Sequence, residues 1–240
     1  MPEGAAREEI LASVKLALKQ VEAGSASAQE APGRSAAYSV DQVAREIRKN
    51  CGIRREDLIH QFDVELTKVG GHFYRAHNAE SAIQYIQKVA SDRQTSSIIG
   101  SAQVMNGYAL KTRLQDDHIE FITETNAPEF LQAAATAGIG LSNVDYVLAD
   151  TGTLVLLACA GQPRSISLLP PVHIALIKPE QIISGLDDLF PLLRQESHAA
   201  MRDLSSAVTF ITGPSRTADI ELTLVVGVHG PQELHVVLES

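Results

Sequence analysis

Short apolar runs of strand character alternate with amphipathic helical stretches along most of this 240-residue chain, and that alternation restricts the fold more than any other feature. Residues 57–69 have helical spacing and close on Gly70-Gly71, and 72–75 follow as a strand. Residues 79–90 form an amphipathic helix with Ala82, Ile83, Ile86 and Val89 on one face. Strand 97–100 turns into a helix near Ser101; strand 119–122 and helix 128–137, closed by Gly138, come next. Residues 144–149 and 154–158 flank a short turn and read as a hairpin. Strand 173–177, a long helix over 179–194, strand 207–212 and a last strand 234–238 complete the series. The expected fold is α/β, a three-layer α/β/α arrangement around a mostly parallel mixed sheet. The hairpin supplies the antiparallel part.

An N-terminal helical arm and flexible linker occupy residues 1–35, leaving 36–240 as the α/β domain. Ile10, Leu11, Val14, Leu18 and Val21 fall at helical spacing before Gly24, and the linker around and after it is rich in small residues with no core-forming ones. The arm either folds back on the domain or docks on another subunit. With 29 acidic against 20 basic residues, a net charge of −9 and no Trp, a nucleic-acid binder is not expected. The N-terminus lacks an apolar secretory core, and the longest apolar run, 154–160, is far short of the roughly 20 residues of a membrane helix. The expected location is cytoplasmic. Cys51 and Cys159, in no Cys-x-x-Cys spacing, cannot form the thiolate set of an iron–sulfur cluster or a cysteine-rich zinc site. Cys159, in an apolar strand, reads as a small core hydrophobe.

Chemistry-bearing residues gather between Gly213 and Pro231, read as turn, helix and turn between the last two strands. Ser215, Thr217, Asp219, Glu221 and His229 then lie near strand carboxyl ends, where open α/β sheets bind ligands. Each also has a structural reading. Pro214 suits a first helical position, Ser215 or Thr217 a cap, Asp219 and Glu221 the positive helix end, and Gly227, His229 and Pro231 the helix stop. A cap needs one hydroxyl and one acid, whereas Ser215, Thr217, Asp219 and Glu221 offer two of each.

Three other strings matter. Asp150-Thr151-Gly152-Thr153 looks like the aspartic-protease signature, but no second Asp-Thr-Gly occurs to supply the paired carboxylate, and the string is also good turn chemistry. The string from Gly138 to Asn143 half-matches a dinucleotide fingerprint, follows a helix and lacks the third glycine, so it is set aside. Residues 161–171 read as a turn entering an apolar strand, with Arg164 either clamping a carboxylate or phosphate or simply solvated. His173, after the Pro170-Pro171 break, reads as a satisfied core residue or a site residue.

Asp150-Thr-Gly-Thr153, then Ser165-Ile-Ser-Leu-Leu-Pro170 with His173-Ile174, then the 213–231 stretch, stand in an order and spacing that resemble the LUD-domain family, of the lactate-utilisation protein C type. The likeness covers nearly the whole chain. It implies a subunit of a bacterial system that oxidises L-lactate to pyruvate and supports growth on lactate. It also implies partner proteins that carry the iron–sulfur clusters, with no cofactor in this chain. The family's fold is similar to the sugar-phosphate isomerase and CoA-transferase superfamily.

From the residues themselves, 213–221 with Asp150, Thr151, Gly152, Thr153 and His173 are expected to line a pocket for a small hydroxylated or carboxylated ligand. Asp219 and Glu221 oppose an anion there, which leaves Arg164 or Arg216 for any carboxylate. An alternative to the accessory subunit is a free-standing isomerase- or CoA-transferase-like enzyme acting on a small carboxylate or phosphorylated substrate. Glu221 or Asp150 would then be its base or acyl acceptor. A metal held by His173, His229 and Asp219 is a poorer option, because spacing alone does not bring them together.

Overall fold

A computed structural model describes residues 39–101, 104, 120–122, 129–158, 162–200, 207–218 and 224–239. The arm and linker at 1–35, Cys159, Asp219 and Glu221 lie outside these. Two strands show why the chain layers as it does. In β7 (Val172–Ile177) every residue is buried; in β12 (Glu233–Glu239) the five central residues are. Val172, Ile174 and Leu176 of β7 and Val237 of β12 enter one core, while Ala175, Ile177, Leu234, Val236 and Leu238 enter another. A strand buried on both faces needs a mostly apolar run, and both segments offer one, interrupted at its core by His173 in β7 and His235 in β12.

These two strands sit inside a six-stranded sheet of order β1–β12–β7–β4–β2–β3, parallel at every pairing. Its other members are β1 (His72–Ala76), β2 (Ser97–Gly100), β3 (Glu120–Ile122) and β4 (Ile139–Asn143). One face is covered by α3 (Ala79–Asp92), with Ala82, Ile83, Ile86 and Val89 buried as its periodicity predicts. Asn78 starts that helix by accepting from the Ser81 N–H at 2.8 Å.

The opposite face carries a second sheet of order β8–β5–β6–β9, together with α1 (Val40–Ile53), α2 (Arg55–Lys68) and α6 (Leu186–Ala200). The expected hairpin is β5 (Tyr146–Leu148) and β6 (Thr153–Leu157), paired antiparallel. It lies in this second sheet, beside β8 (Ile182–Ile183) and β9 (Val208–Ile211), and not in the parallel one. A smaller core joins Ile99 and Ala137 to α4 (Phe130–Thr136) and the single turn α5 (Ser165–Leu168).

Two sequence expectations are corrected, and two elements had not been foreseen. The helix placed at 179–194 is a 3₁₀ turn at Pro179–Gln181, then β8, and only then α6. Ile182 and Ile183 gain more from pairing with Val147 and Leu148 in the core than from a helix, and Gly185 allows the restart. The helix placed after Gly213 is an antiparallel hairpin, β10 (Arg216–Ala218) with β11 (Leu224–Val226). Thr217, Val225 and Val226 are β-branched, and the Ser215 backbone bonds to Pro231 and Gly227, so Pro214 opens no helix. The string set aside at 138–143 contains β4, whose Gly140 lets the Ile166 carbonyl of α5 approach closely. Helix α1 has no counterpart in the sequence reading, since only Ala44 and Cys51 are buried on it.

Gly152 has φ +65, and a Cβ there would stand 2.5 Å from the Leu66 backbone nitrogen. Gly152→Ala therefore destabilises the chain by at least about 2 kcal/mol in urea melts. Gly52→Ala, with nothing within 4 Å in α1, stabilises by about 0.5 kcal/mol.

Candidate functional site

The C-terminal turn of α2 is where the separated motifs meet. Gly152, in the β5–β6 turn, lies against Glu65 and Leu66, and Gly213, after β9, lies against Val69. Thr153 Oγ1 stands 2.9 Å from Thr151 Oγ1 and 2.7 Å from Thr212 Oγ1, tying the two turns together. Thr151 in turn donates to Asp150 Oδ1 at 3.2 Å, so a row of hydroxyls ends on a carboxylate. Such a row is polarised toward the charge at its end. Arg216 donates to the Val69 carbonyl at 2.7 Å, where a cation complements a helix C-terminus. That contact engages one of the two arginines considered for a ligand carboxylate.

Ser215 anchors the hairpin through its backbone, donating to Pro231 O at 2.8 Å and accepting from Gly227 N at 2.9 Å. Thr217 is placed in β10 opposite Val225. His229 is exposed in the loop after β11. Asp150, Thr151, Gly152, Thr153, Gly213 and Ser215 are thus brought into one connected region. His173 and Arg164 are not part of it.

Asp150 borders an open hollow of about 430 Å3 with Arg54, Gln61, Ser184, Gly185 and the first turn of α6. Asp187 and Asp188 also line it, and Asp188 accepts from the Ser184 N–H at 3.2 Å. Three carboxylates against one guanidinium make this hollow a poor place for an anion.

His173 is fully buried on β7, with Nε2 2.8 Å from Ser142 Oγ of β4 and no partner for Nδ1 among the described residues. Burial, and then the neighbouring His235, lower its pKa to about 4. It is neutral at physiological pH and poorly matched to proton transfer there. Ser142 lines a narrow cleft between the sheets, with Gln162, Arg164, Ser167 and Thr209. Sequence reasoning missed Ser142. The available signal was a lone hydroxyl inside the buried strand Ile139–Asn143.

A second missed group lies on the α3 face. Tyr85 Oη is 2.9 Å from His235 Nδ1, His235 Nε2 is 3.3 Å from Glu233, and Glu233 pairs with Arg93. The His72 ring stacks on His235 at 4.6 Å. Among the described residues no three His, Cys, Asp or Glu side chains converge as a metal site, and no helix is long and apolar enough to cross a membrane.

The lowered His173 pKa fixes a sign. An unfolded imidazole near 6.5 takes a proton that the folded site refuses until about 4. Stability from this group is therefore complete above 6.5 and is lost as pH falls toward 4. Between about pH 7 and about pH 5 the wild-type chain loses about 2 kcal/mol more in urea melts than His173→Gln does. Parallel losses in the two proteins would refute the buried neutral imidazole.

Residues 59–238 match the family model of the LUD domain. Over 204 residues the chain is 34% identical to Lactate utilization protein C of Halalkalibacterium halodurans, covering 85% of this chain and 82% of that protein. It is 31% identical over 180 residues to the protein of the same name from Anoxybacillus flavithermus, covering 75% and 79%. A crystal structure of a DUF162 family protein from Deinococcus radiodurans superposes with a TM-score of 0.55 at 20% identity, covering 78% of this chain and 98% of that one. That likeness speaks for the fold alone, a mixed α/β architecture around a mostly parallel sheet. The sequence matches, extending over most of both partners, speak for more: the chain belongs to the LUD-domain family.

Proposed function

We propose that this chain is a non-redox subunit of a bacterial L-lactate utilisation system, which oxidises L-lactate to pyruvate and passes electrons to iron–sulfur partner proteins. The observation that carries this reading is similarity along most of both chains to proteins named Lactate utilization protein C, 34% identical to that of Halalkalibacterium halodurans. The cysteine inventory supports the division of labour. The chain has two cysteines, far apart in sequence, and burial of the Cys51 thiol raises its pKa, away from the thiolate that a cluster requires. The expected cytoplasmic location belongs to the same proposal.

Deleting the gene in its native host is expected to abolish growth on L-lactate while leaving growth on glucose intact, and supplying the chain in trans restores it. A tagged copy from lactate-grown cells brings down cysteine-rich proteins with iron–sulfur absorbance. Undiminished growth of the deletion strain on L-lactate would sink this reading, as would oxidation of L-lactate by the purified chain alone.

A further inference from the structure

We propose that the hollow at Asp150, with the apolar side of α6 beside it, is a docking face for a partner protein that presents a lysine or arginine between apolar side chains. That this partner is one of the iron–sulfur proteins rests on the function proposed above.

The apolar half of the face is Leu186 and Phe190. Helix α6 turns Leu189, Leu192 and Leu193 into the core. Leu186 and Phe190, four residues apart and therefore neighbours on one side of the helix, stay 45% and 59% exposed. Leu186 also lines the hollow. A single exposed leucine needs no explanation. A leucine and a phenylalanine together beside a polar recess have the composition of an interface centre, where aromatic anchors are enriched.

Charge supplies the other half. Asp150, Asp187 and Asp188 line the hollow with a single guanidinium, Arg54. Among the described residues none of the three carboxylates is ion-paired, either with Arg54 or with another cation. Asp188 accepts from the Ser184 N–H and faces the Cys51 thiol at 3.8 Å, and Asp150 accepts from Thr151, so both are held in place. A helix start accounts for Asp187 and Asp188. It does not account for Asp150, which comes from the β5–β6 turn.

The form of the occupant follows from how these acids are arranged. They line one recess without converging as a metal site among the described residues. Carboxylates spread in this way suit a cation carried on a long stem. About 430 Å3 of open space admits a lysine or arginine whose methylenes lie along Leu186 while its charge meets the acids. A second copy of this chain is the wrong partner. Each copy carries a net charge of −9, and apposing two such faces would set three carboxylates against three.

The test is binding of the cysteine-rich partner, purified with its clusters from lactate-grown cells, to the full-length chain on a biosensor. The wild-type chain is expected to bind, and more weakly as salt is raised. Phe190→Asp and Asp187→Lys each weaken binding roughly tenfold or more. Leu131→Asp and Asp92→Lys, the same kinds of change on α4 and α3, leave it unaltered. All four positions are exposed, so circular dichroism is expected to show every variant folded. Unaltered binding by Phe190→Asp and Asp187→Lys overturns the face. If both variants then restore growth on L-lactate to the deletion strain, the proposed function stands without it. A wild-type chain that binds no cysteine-rich partner overturns the face and the partner reading together. Self-association of the purified chain that Phe190→Asp abolishes gives the face to a second copy and overturns the assignment. Protease protection of residues 1–35 that the same variant removes gives it to the chain's own N-terminal segment, with the same consequence.

Discussion

Two-sided burial of β7 and β12 is the constraint from which the remaining architecture follows. Both strands are flanked by paired neighbours, so their backbone groups are satisfied laterally and their side chains must be satisfied above and below. Helix α3 answers for one face. The other is answered by a second sheet, itself apolar on both sides, which needs α1, α2 and α6 to cover it in turn. At about 1.5–3 kcal/mol for each large aliphatic side chain removed from water, these layers supply the main opposition to chain entropy. The price is that any polar side chain on the covered face must find a partner within reach. His173 and Ser142 find each other, and their meeting point borders the cleft between the sheets.

The separation of charge between the two recesses follows from which elements build them. The Asp150 hollow is made where the β5–β6 turn meets the first turn of α6, and helix starts favour acids, which explains Asp187 and Asp188. The inter-sheet cleft is made from strand ends and the turn at α5, which need no acids. Negative and positive chemistry thus come apart for structural reasons before any ligand selects between them. Asp150, Thr151, Thr153 and Thr212 tie the β5–β6 turn to the end of β9, so the acidic hollow is held by the glycine contacts on α2.

Much of this was legible in the residues. The amphipathic spacing of Ala82, Ile83, Ile86 and Val89 named the buried face of α3, and Gly70-Gly71 marked the end of α2. Strands β1, β7 and β12 lie where the sequence reads as strand. Legibility failed where tertiary contacts overrode local pattern. Ile182 and Ile183 could sit in a helix or a strand, and pairing with Val147 and Leu148 of β5 decides between them. The 213–231 stretch has residues suited to helix caps at both ends, yet Gly213 and Gly227 serve positive φ in a hairpin. Ile139–Asn143 was obscured by Gly140, which the fold uses for close contact with α5. The candidate site was half legible: Asp150 to Thr153 and Gly213 do converge, while the partnership of His173 with Ser142 depends on β4 lying beside β7, which no local pattern states.

The two buried histidines show why position in the sheet matters more than residue type. His173 and His235 occupy adjacent strands on opposite faces, and burial is the largest influence lowering the pKa of each. They differ in what surrounds them. His235 has Glu233 to stabilise its charged form, a hydrogen bond with Tyr85 and the stacked His72 ring to oppose a second charge. Among the described residues His173 bonds only to the Ser142 hydroxyl, which cannot neutralise an imidazolium, and the nearby His235 lowers its pKa further. The charged partner of His235, Glu233, lies on the α3 face. The inter-sheet face keeps a neutral ring, held by the Ser142 hydroxyl of the neighbouring strand.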